Sequence, residues 1–150
     1  MNSVILSTTA RLLLPLIVIL ALFVFNRGHN EPGGGFIGGL LAAIAFTLVE
    51  KSAGVDYARK VLYFRPLSIA AFGLGCTLVG GLWGGIKYGY FLKGVWPFIT
   101  KLADGSKSGL PVGSILLFDF GVFLVVLGGV LGILFTLEEV VASETDLEDS

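Results

Sequence analysis

The stretch SGLPVGSILLFDFGVFLVVLGGVLGILFTL, residues 108–137, decides how this chain folds. Its thirty residues contain no Lys, Arg, His or Glu, and Asp119 is their only charged side chain. A helix needs about 20 apolar residues to cross the hydrocarbon of a bilayer, so the stretch predicts a membrane span. A carboxylate inside such a span costs about 2.5–3.5 kcal/mol on insertion scales. Asp119 therefore needs a compensating partner or a function.

The composition places the whole chain in the same class. Hydrophobic residues make up 55% and charged residues 14% of the 150 residues, and the mean hydropathy is +0.90. A water-soluble domain of this size needs more charge to cover its surface. The lack of a basic cluster argues against a nucleic-acid partner. His29 and Cys76 are the single histidine and cysteine, so we predict neither a metal site nor a cofactor.

We predict an all-α integral protein of the lipid bilayer, with four transmembrane helices within residues 1–137. The first span ends in bulky residues where a signal-peptide cleavage site needs small ones, so we expect it to be retained. Pro32 and Pro66 begin the second and third spans, because proline suits the first turn of a helix. A short turn joins the first two spans, which predicts a tight antiparallel hairpin. The predicted spans are residues 8–26, 32–49, 66–86 and 111–137.

The segments outside the spans differ in charge. Residues 87–107 combine four lysines with aromatic side chains, and their apolar residues recur every three or four positions. This pattern predicts a helix lying in the membrane interface, although Pro97 falls within it. Residues 138–150 carry six acids and no base, which predicts a solvated, mobile acidic C-terminal tail. Basic residues are equally numerous on the two predicted sides of the membrane. The compact basic cluster in residues 50–65 lies on the same side as the termini, and this favours cytoplasmic termini.

Glycines spaced four apart recur in spans two to four. Because lipid gives no hydrophobic drive between helices, such glycines promote packing by permitting close backbone approach. On the fourth span one face carries Ser114 and three glycines, whereas Asp119 points to the opposite face. An acid cannot face lipid, so we expect both faces to contact protein and we infer partner subunits. The glycines predicted to pack are Gly38, Gly39, Gly81, Gly85, Gly121, Gly128 and Gly132.

The turn between the first two spans, FNRGHNEPGGGFIGGL at residues 25–40, is the densest polar and glycine-rich segment. It places one imidazole, that of His29, and one carboxylate, that of Glu31, at the N-terminal end of a helix. No Gly-Lys-Ser/Thr follows, so the segment is not a phosphate-binding loop. On the residues alone, a second interpretation is a sharply turned hairpin in which Asn30 or Glu31 caps the second span.

The string from His29 to Phe36, within Asn26–Leu40, resembles the signature of the MnhB family, the B subunits of Mrp-type (Mnh or Pha) multisubunit cation/proton antiporters. The resemblance extends over nearly the whole chain, in its size, its four spans, its short first hairpin and the acid of its last span. It implies an accessory subunit of a hetero-oligomeric complex that exchanges Na+, or a related monovalent cation, for H+ across the plasma membrane of a bacterium or archaeon. The residues that the resemblance implies to be functional are His29, Asn30, Pro32, Gly33, Gly34, Gly35 and Phe36.

Two roles remain open for such a protein. In the first, it lines part of an ion path: Asp119 takes up a proton or coordinates sodium, and His29, with Glu31 nearby, relays protons near the membrane surface. In the second, it is a scaffold in which Asp119 accepts a hydrogen bond from a neighbouring subunit, while His29 holds the turn. Related membrane-bound hydrogenase-type complexes are an alternative parent assembly. No nucleophile, base and orienting group come together in the sequence, so we predict a subunit of a transporter and not an enzyme.

Overall fold

The computed structural model describes residues 4–28, 34–90, 92–95, 99–101, 107–109 and 113–148. Its elements, in chain order, are α1 (Val4–Arg27), α2 (Gly34–Ala53), α3 (Val55–Leu62), α4 (Pro66–Tyr88), β1 (Ile99–Lys101), β2 (Lys107–Gly109) and α5 (Ser114–Glu148). Within this part of the chain, α1, α2, α4 and α5 carry the four segments that are long and apolar enough to cross a membrane. The predicted all-α membrane architecture is therefore confirmed, and the structure adds one short helix and one small pair of strands.

The four long helices lie in a row in the order α1, α2, α5 and α4, because each packs directly on the next. α1 and α2 are antiparallel: Gly38, near the start of α2, lies against Ala21 and Phe25 in the second half of α1. α5 runs in the same direction as α2, since Gly35 at the start of α2 lies beside Asp119 near the start of α5. α2 and α5 therefore form a parallel pair at the centre of the row.

A buried stripe on α5 forms the middle of the packing. Phe123, Leu127, Leu131 and Phe135 recur every four residues, so they share one face of the helix. Each of them is at most 7% exposed, and they join alanines of α2 in one buried cluster. The outer side chains of α1 are exposed by contrast, as Leu16 shows at 66% exposure. An apolar helix with an exposed apolar face fits a lipid environment and not water.

The polar segment after α2 contains a helix, α3. Its apolar residues Val55, Ala58 and Leu62 are spaced by three and four, which is the pattern of an amphipathic helix. Ala58 and Leu62 are buried, whereas Arg59 and Lys60 between them are exposed. α3 thus covers one end of the bundle with its apolar face.

The acidic segment at the end of the chain is also helical. α5 continues to Glu148, so the structure differs from the predicted mobile tail over residues 138–148. No glycine or proline follows Gly132 in the sequence to end the helix. Two ion pairs tie the start of the acidic segment to α2 and α3, and they are Lys51–Glu138 and Arg59–Glu139.

The prediction of an interface helix over residues 87–107 was wrong. α4 ends at Tyr88, and Gly89 follows with a left-handed φ of 75°. Its N–H donates a hydrogen bond to the carbonyl of Gly85 at 2.8 Å. Glycine at this position ends a helix because it adopts left-handed backbone angles without a Cβ clash. Farther along, β1 and β2 pair as antiparallel strands.

Candidate functional site

Asp119 meets the beginning of α2. The backbone N–H of Gly35 donates a hydrogen bond to Asp119 Oδ1 at 2.8 Å. The first four N–H groups of a helix have no partner within that helix, and the positive end of the helix dipole favours a carboxylate there. Asp119 therefore caps α2 from a position 84 residues away in the sequence. The sequence alone did not identify the partner of Asp119. The structure shows that this partner, Gly35, lies within the same chain.

Glycines at the start of α2 make this approach possible. A Cβ atom on Gly35 would fall closer than 3.0 Å to the backbone oxygen of Asp119, a separation that real Cβ atoms do not show. Gly34 has a left-handed φ of 75°, and its ideal Cβ position lies 3.1 Å from Asp119 Oδ1. A larger residue at either position would strain the backbone or separate α2 from α5. The contact with Asp119 therefore explains why two positions of the His29–Phe36 motif, Gly34 and Gly35, are occupied by glycine.

Two further glycines lie where α2 crosses its neighbours. An ideal Cβ on Gly39 would lie 2.6 Å from the backbone oxygen of Phe123 in α5. An ideal Cβ on Gly38 would lie 2.9 Å from the backbone oxygen of Ala21 in α1. Phe25 fills the space between α1 and α5, with its ring edge-on to that of Phe123 and 5.5 Å between centroids. α2 is thus held on both sides by backbone contacts that require glycine.

The opposite face of α5 packs on α4. An ideal Cβ on Gly121 would lie 2.6 Å from the backbone oxygen of Gly73, and one on Gly128 would lie 2.6 Å from the backbone nitrogen of Ala70. Gly132 is looser, since its nearest neighbour is at 3.8 Å. The acidic face of α5 contacts α2 and its glycine face contacts α4. Both faces therefore meet protein within this chain, so covering them does not require the partner subunits that we inferred from them.

Two glycine pairs on α4 have the spacing of four that favours close packing, and one of them, Gly80 and Gly84, makes close contacts with other elements. An ideal Cβ on Gly80 would lie 2.9 Å from a backbone nitrogen of α5, and one on Gly84 would lie 2.7 Å from the backbone nitrogen of Lys93. The carbonyls of the other pair, Gly81 and Gly85, accept backbone hydrogen bonds from the chain that follows α4. Both pairs have the same spacing of four. What each glycine contacts depends on which segments lie beside it. The spacing in the sequence does not give that information.

The polar half of the glycine-rich motif lies outside the described residues. These positions are His29, Asn30, Glu31, Pro32 and Gly33. Phe36 lies in the first turn of α2 and is 58% exposed, so its ring points away from the buried contact with α5. The roles assigned to His29 and Glu31 stay predictions, whereas Gly34 and Gly35 lie beside Asp119.

The sequence reasoning also missed a buried acid, Glu50. Its side chain is 1% exposed, and neither carboxylate oxygen has a hydrogen-bond partner. Lys51 Nζ lies 3.2 Å from Glu50 Oε1, which is close enough for an ion pair. Glu50 directly follows the predicted span 32–49, where a solvated carboxylate is ordinary. Its burial depends on the helices packed at this end of α2, and no local pattern indicates them.

The two acids lie at opposite ends of α2. Fifteen residues separate Gly35, the partner of Asp119, from Glu50, which corresponds to about 22 Å along the helix axis. In the described part of the chain, no group of three or more His, Cys, Asp or Glu side chains could hold a metal ion. Asp119 and Glu50 are therefore separate sites, each with its own surroundings.

Comparison with known proteins gives one family. The family described as "Domain related to MnhB subunit of Na+/H+ antiporter" matches residues 5–132. The B subunit of the Na(+)/H(+) antiporter of Alkalihalophilus pseudofirmus is 32% identical over 142 residues, which cover 92% of this chain and 94% of that protein. The corresponding Na(+)/H(+) antiporter protein of Bacillus subtilis is also 32% identical, with the same coverage of both chains.

Two longer proteins contain a similar segment. The probable K(+)/H(+) antiporter A/B subunit of Rhizobium meliloti is 36% identical over 131 residues, which are 85% of this chain but 12% of that protein. A chain in the structure of the Mrp complex from Dietzia sp. DQ12-45-1b superposes with a TM-score of 0.71 and 34% identity. That match covers 89% of this chain and 14% of the Dietzia chain. This chain thus spans a small part of the longer relatives and nearly all of the shorter ones.

Proposed function

The chain belongs to the family of domains related to the MnhB subunit of Na+/H+ antiporters, and we propose from this that it is an accessory membrane subunit of a multisubunit antiporter. The membership confirms the prediction drawn from the string Asn26–Leu40. Relatives of the same length are named as the B subunits of Na(+)/H(+) antiporters, which supports Na+ and H+ as the exchanged ions. The other membrane subunits of the complex are the partners, and the plasma membrane is the location.

Residues 1–137 form the transmembrane unit in this proposal, with both termini in the cytoplasm. Charged side chains from three segments meet at one end of the bundle, and this supports the orientation. The guanidinium of Arg11 in α1 lies 5.5 Å from the ring centre of Tyr57 in α3. Arg59 in α3 pairs with Glu139 in α5 at 2.8 Å. The compact basic cluster of residues 50–65 lies at this end, and cytoplasmic membrane ends favour Lys and Arg, so this end is assigned to the cytoplasm.

Asp119 serves in this proposal to position α2, and the hydrogen bond from the Gly35 N–H to Asp119 Oδ1 is the observation that supports it. A cap supplied by α5 fixes the start of α2, which immediately follows the polar half of the His29–Phe36 motif. The carboxylate is stabilised there by the end of the helix dipole, so it does not need a transported ion as its partner. Antiport then depends on Asp119 through the position of the motif.

Two substitutions of Asp119 test this assignment. Asp119→Asn keeps an oxygen that accepts the Gly35 N–H, so we expect an assembled complex that retains most of its antiport. Asp119→Leu removes the acceptor and leaves a buried N–H unpaired, which costs about 1–3 kcal/mol, so we expect less assembled complex. Sodium-dependent proton movement in membrane vesicles measures antiport, with complex amounts matched by immunoblot. A fully assembled Asp119→Asn complex without antiport would contradict the positioning role and favour an ion path through Asp119.

A further inference from the structure

A cleft of about 920 Å³ opens beside α5, at the end of the bundle that carries α3. Its walls come from α3, the segment that joins α3 to α4, the start of α4 and the glycine face of α5. Tyr63 and Phe64 form one rim, and they are 84% and 63% exposed. Pockets for small ligands have volumes of about 300–1,000 Å³, so the cleft can hold a part of a lipid molecule.

The floor of the cleft is an apolar groove on α5, which lines it from Gly128 to Leu137. An ideal Cβ on Gly129 has no neighbour within 4 Å, and one on Gly132 has its nearest neighbour at 3.8 Å, so these glycines leave open space. Ile133 beside them is 64% exposed. The nine residues from Gly128 to Leu137 correspond to about 14 Å along the helix axis. Half of a hydrocarbon core of about 30 Å is about 15 Å, so the groove has the length of one lipid leaflet.

The mouth of the cleft is cationic. Among the described residues that line it, the charged ones are Arg59 and Arg65. Arg59 pairs with Glu139 at 2.8 Å, whereas Arg65 forms no ion pair in the part of the chain that the structure describes. Arg65 directly precedes α4, and the positive end of a helix dipole lies beside it. The neighbouring acid Glu138 is already paired with a lysine of α2. The mouth therefore offers an uncompensated guanidinium where the apolar groove ends.

Tyr63, at the rim, has a backbone conformation that is uncommon for a bulky residue. Its φ is 69° and its ψ is −42°. Its N–H donates a hydrogen bond to the carbonyl of Arg59 at 3.0 Å and so ends α3. Its ring lies edge-on to that of Phe64, with 5.1 Å between the centroids. Strained residues concentrate where ligands bind, and tyrosine favours the membrane interface. Both tendencies agree with a ligand at the level of the lipid headgroups.

We propose that the cleft binds one anionic phospholipid. The lipid phosphate pairs with the Arg65 guanidinium, and one acyl chain lies in the groove beside Gly129 and Gly132. Basic pockets at the membrane surface bind anionic headgroups in this way. A free phosphate would leave the groove empty, and an apolar helix of a partner subunit would leave Arg65 without an anion. The proposed orientation of the chain makes this a lipid of the cytoplasmic leaflet, whereas the binding itself does not depend on antiport.

Photo-labelling with a phosphatidylglycerol that carries a diazirine in its acyl chain tests the site. The assembled complex is placed in nanodiscs of phosphatidylcholine with a small fraction of this probe, irradiated and digested, and the adducts are located by mass spectrometry. We expect adducts on residues 128–137 of α5. A phosphatidylcholine with the same diazirine is the matched probe and should label this segment less. Equal labelling by the two probes would show an unselective lipid contact and overturn the proposal. The absence of adducts on this segment would show that another subunit covers the cleft, which would overturn it as well.

Two substitutions of basic residues test the headgroup contact. Arg65→Gln should lower the yield of the phosphatidylglycerol adduct about fivefold, which is the contribution of one basic side chain at an anionic membrane surface. Lys60→Gln is the matched control, because it removes a cation of α3 that does not line the cleft. Its adduct yield should equal that of the wild type. Equal losses in the two variants would indicate general attraction to the surface and overturn the proposal, as would no loss in Arg65→Gln.

A third substitution tests the groove. Gly129→Leu places a side chain in the open space where the acyl chain lies, so it should lower the adduct yield although Arg65 is intact. Gly75→Leu is its control, since Gly75 lies in α4 outside the cleft and an added Cβ there also has no neighbour within 4 Å. Full labelling of the Gly129→Leu complex would overturn the placement of the chain in the groove.

Inorganic phosphate distinguishes a lipid from a free anion. Added in excess over the probe at constant ionic strength, it should leave the adduct yield unchanged, whereas unlabelled phosphatidylglycerol should lower the yield. Suppression by inorganic phosphate would identify a site for a free anion and overturn the proposal. Because labelling does not require transport, its failure is distinct from failure of the antiport assay on the Asp119 variants.

Discussion

The acids at the two ends of the α2–α5 pair have opposite surroundings: Asp119 is partly buried and hydrogen-bonded, whereas Glu50 is fully buried. At the start of α2, Asp119 accepts a backbone N–H from Gly35. At the end of α2, Glu50 has no hydrogen bond, and its nearest cation is the Lys51 ammonium. The start of a helix offers free N–H groups, whereas its end offers carbonyls, which cannot donate to a carboxylate. An acid at the start is therefore stabilised by the backbone, and an acid at the end depends on a side-chain partner such as Lys51.

Between the two acids the α2–α5 contact is apolar. The α5 stripe that lies there consists of Phe123, Leu127, Leu131 and Phe135, each at most 7% exposed. A side-chain path for protons would need polar groups or water along this stretch. Each acid therefore has its own surroundings, and substitutions at one end should leave the other end unchanged.

The largest effect should follow from Gly35→Ala. The new Cβ would clash with the Asp119 backbone, and overpacking of this kind typically costs about 1–3 kcal/mol. The clash also separates α2 from α5 and lengthens the hydrogen bond between Gly35 and Asp119. We expect a large loss of intact complex, measured by native electrophoresis and immunoblotting of solubilised membranes.

Gly75→Ala is the matched control for that substitution. Gly75 lies inside α4, and an added Cβ there has no neighbour within 4 Å. Alanine is favoured over glycine in a helix by about 1 kcal/mol, so the control complex should be at least as abundant as the wild type. Normal amounts of the Gly35→Ala complex would show that the start of α2 tolerates separation from α5, and the capping interpretation would fail.

Much of the fold was predictable because its signals are local. An apolar stretch of sufficient length predicts a span wherever it occurs, and all four helices were predicted in this way. The pairing of Asp119 with Gly35 was not predictable, since the two residues are 84 positions apart. It depends on the order of helices in the row, which the sequence does not display. The burial of Glu50 was missed for the same reason: it depends on packing by other elements.

Gly128→Ala should have a smaller effect than Gly35→Ala. It tests whether the close approach of two helix backbones, without the Asp119 hydrogen bond, is enough to explain the effect of Gly35→Ala. An added Cβ would lie 2.6 Å from the Ala70 nitrogen in α4, but no side-chain hydrogen bond depends on this contact. We expect a loss of about 1–3 kcal/mol from overpacking, seen as a lower thermal midpoint of the solubilised complex. Gly129→Ala, with no neighbour within 4 Å, should leave the midpoint unchanged or raise it. If Gly128→Ala removed more complex than Gly35→Ala, the Asp119 cap would contribute nothing measurable.

The smallest effect is expected at the ion pair beside the Glu50 end. Arg59 and Glu139 lie 2.8 Å apart, with side chains 45% and 47% exposed. Exposed pairs of this kind contribute about 0.2–1 kcal/mol and weaken in salt. Glu139→Gln should therefore change the thermal midpoint only slightly, and the difference from wild type should shrink at high salt. A large drop in the midpoint that persists at high salt would contradict this expectation. It would show that the Arg59–Glu139 pair helps to hold α3 on α5, and the two ends of α2 would then differ in packing as well as in hydrogen bonding.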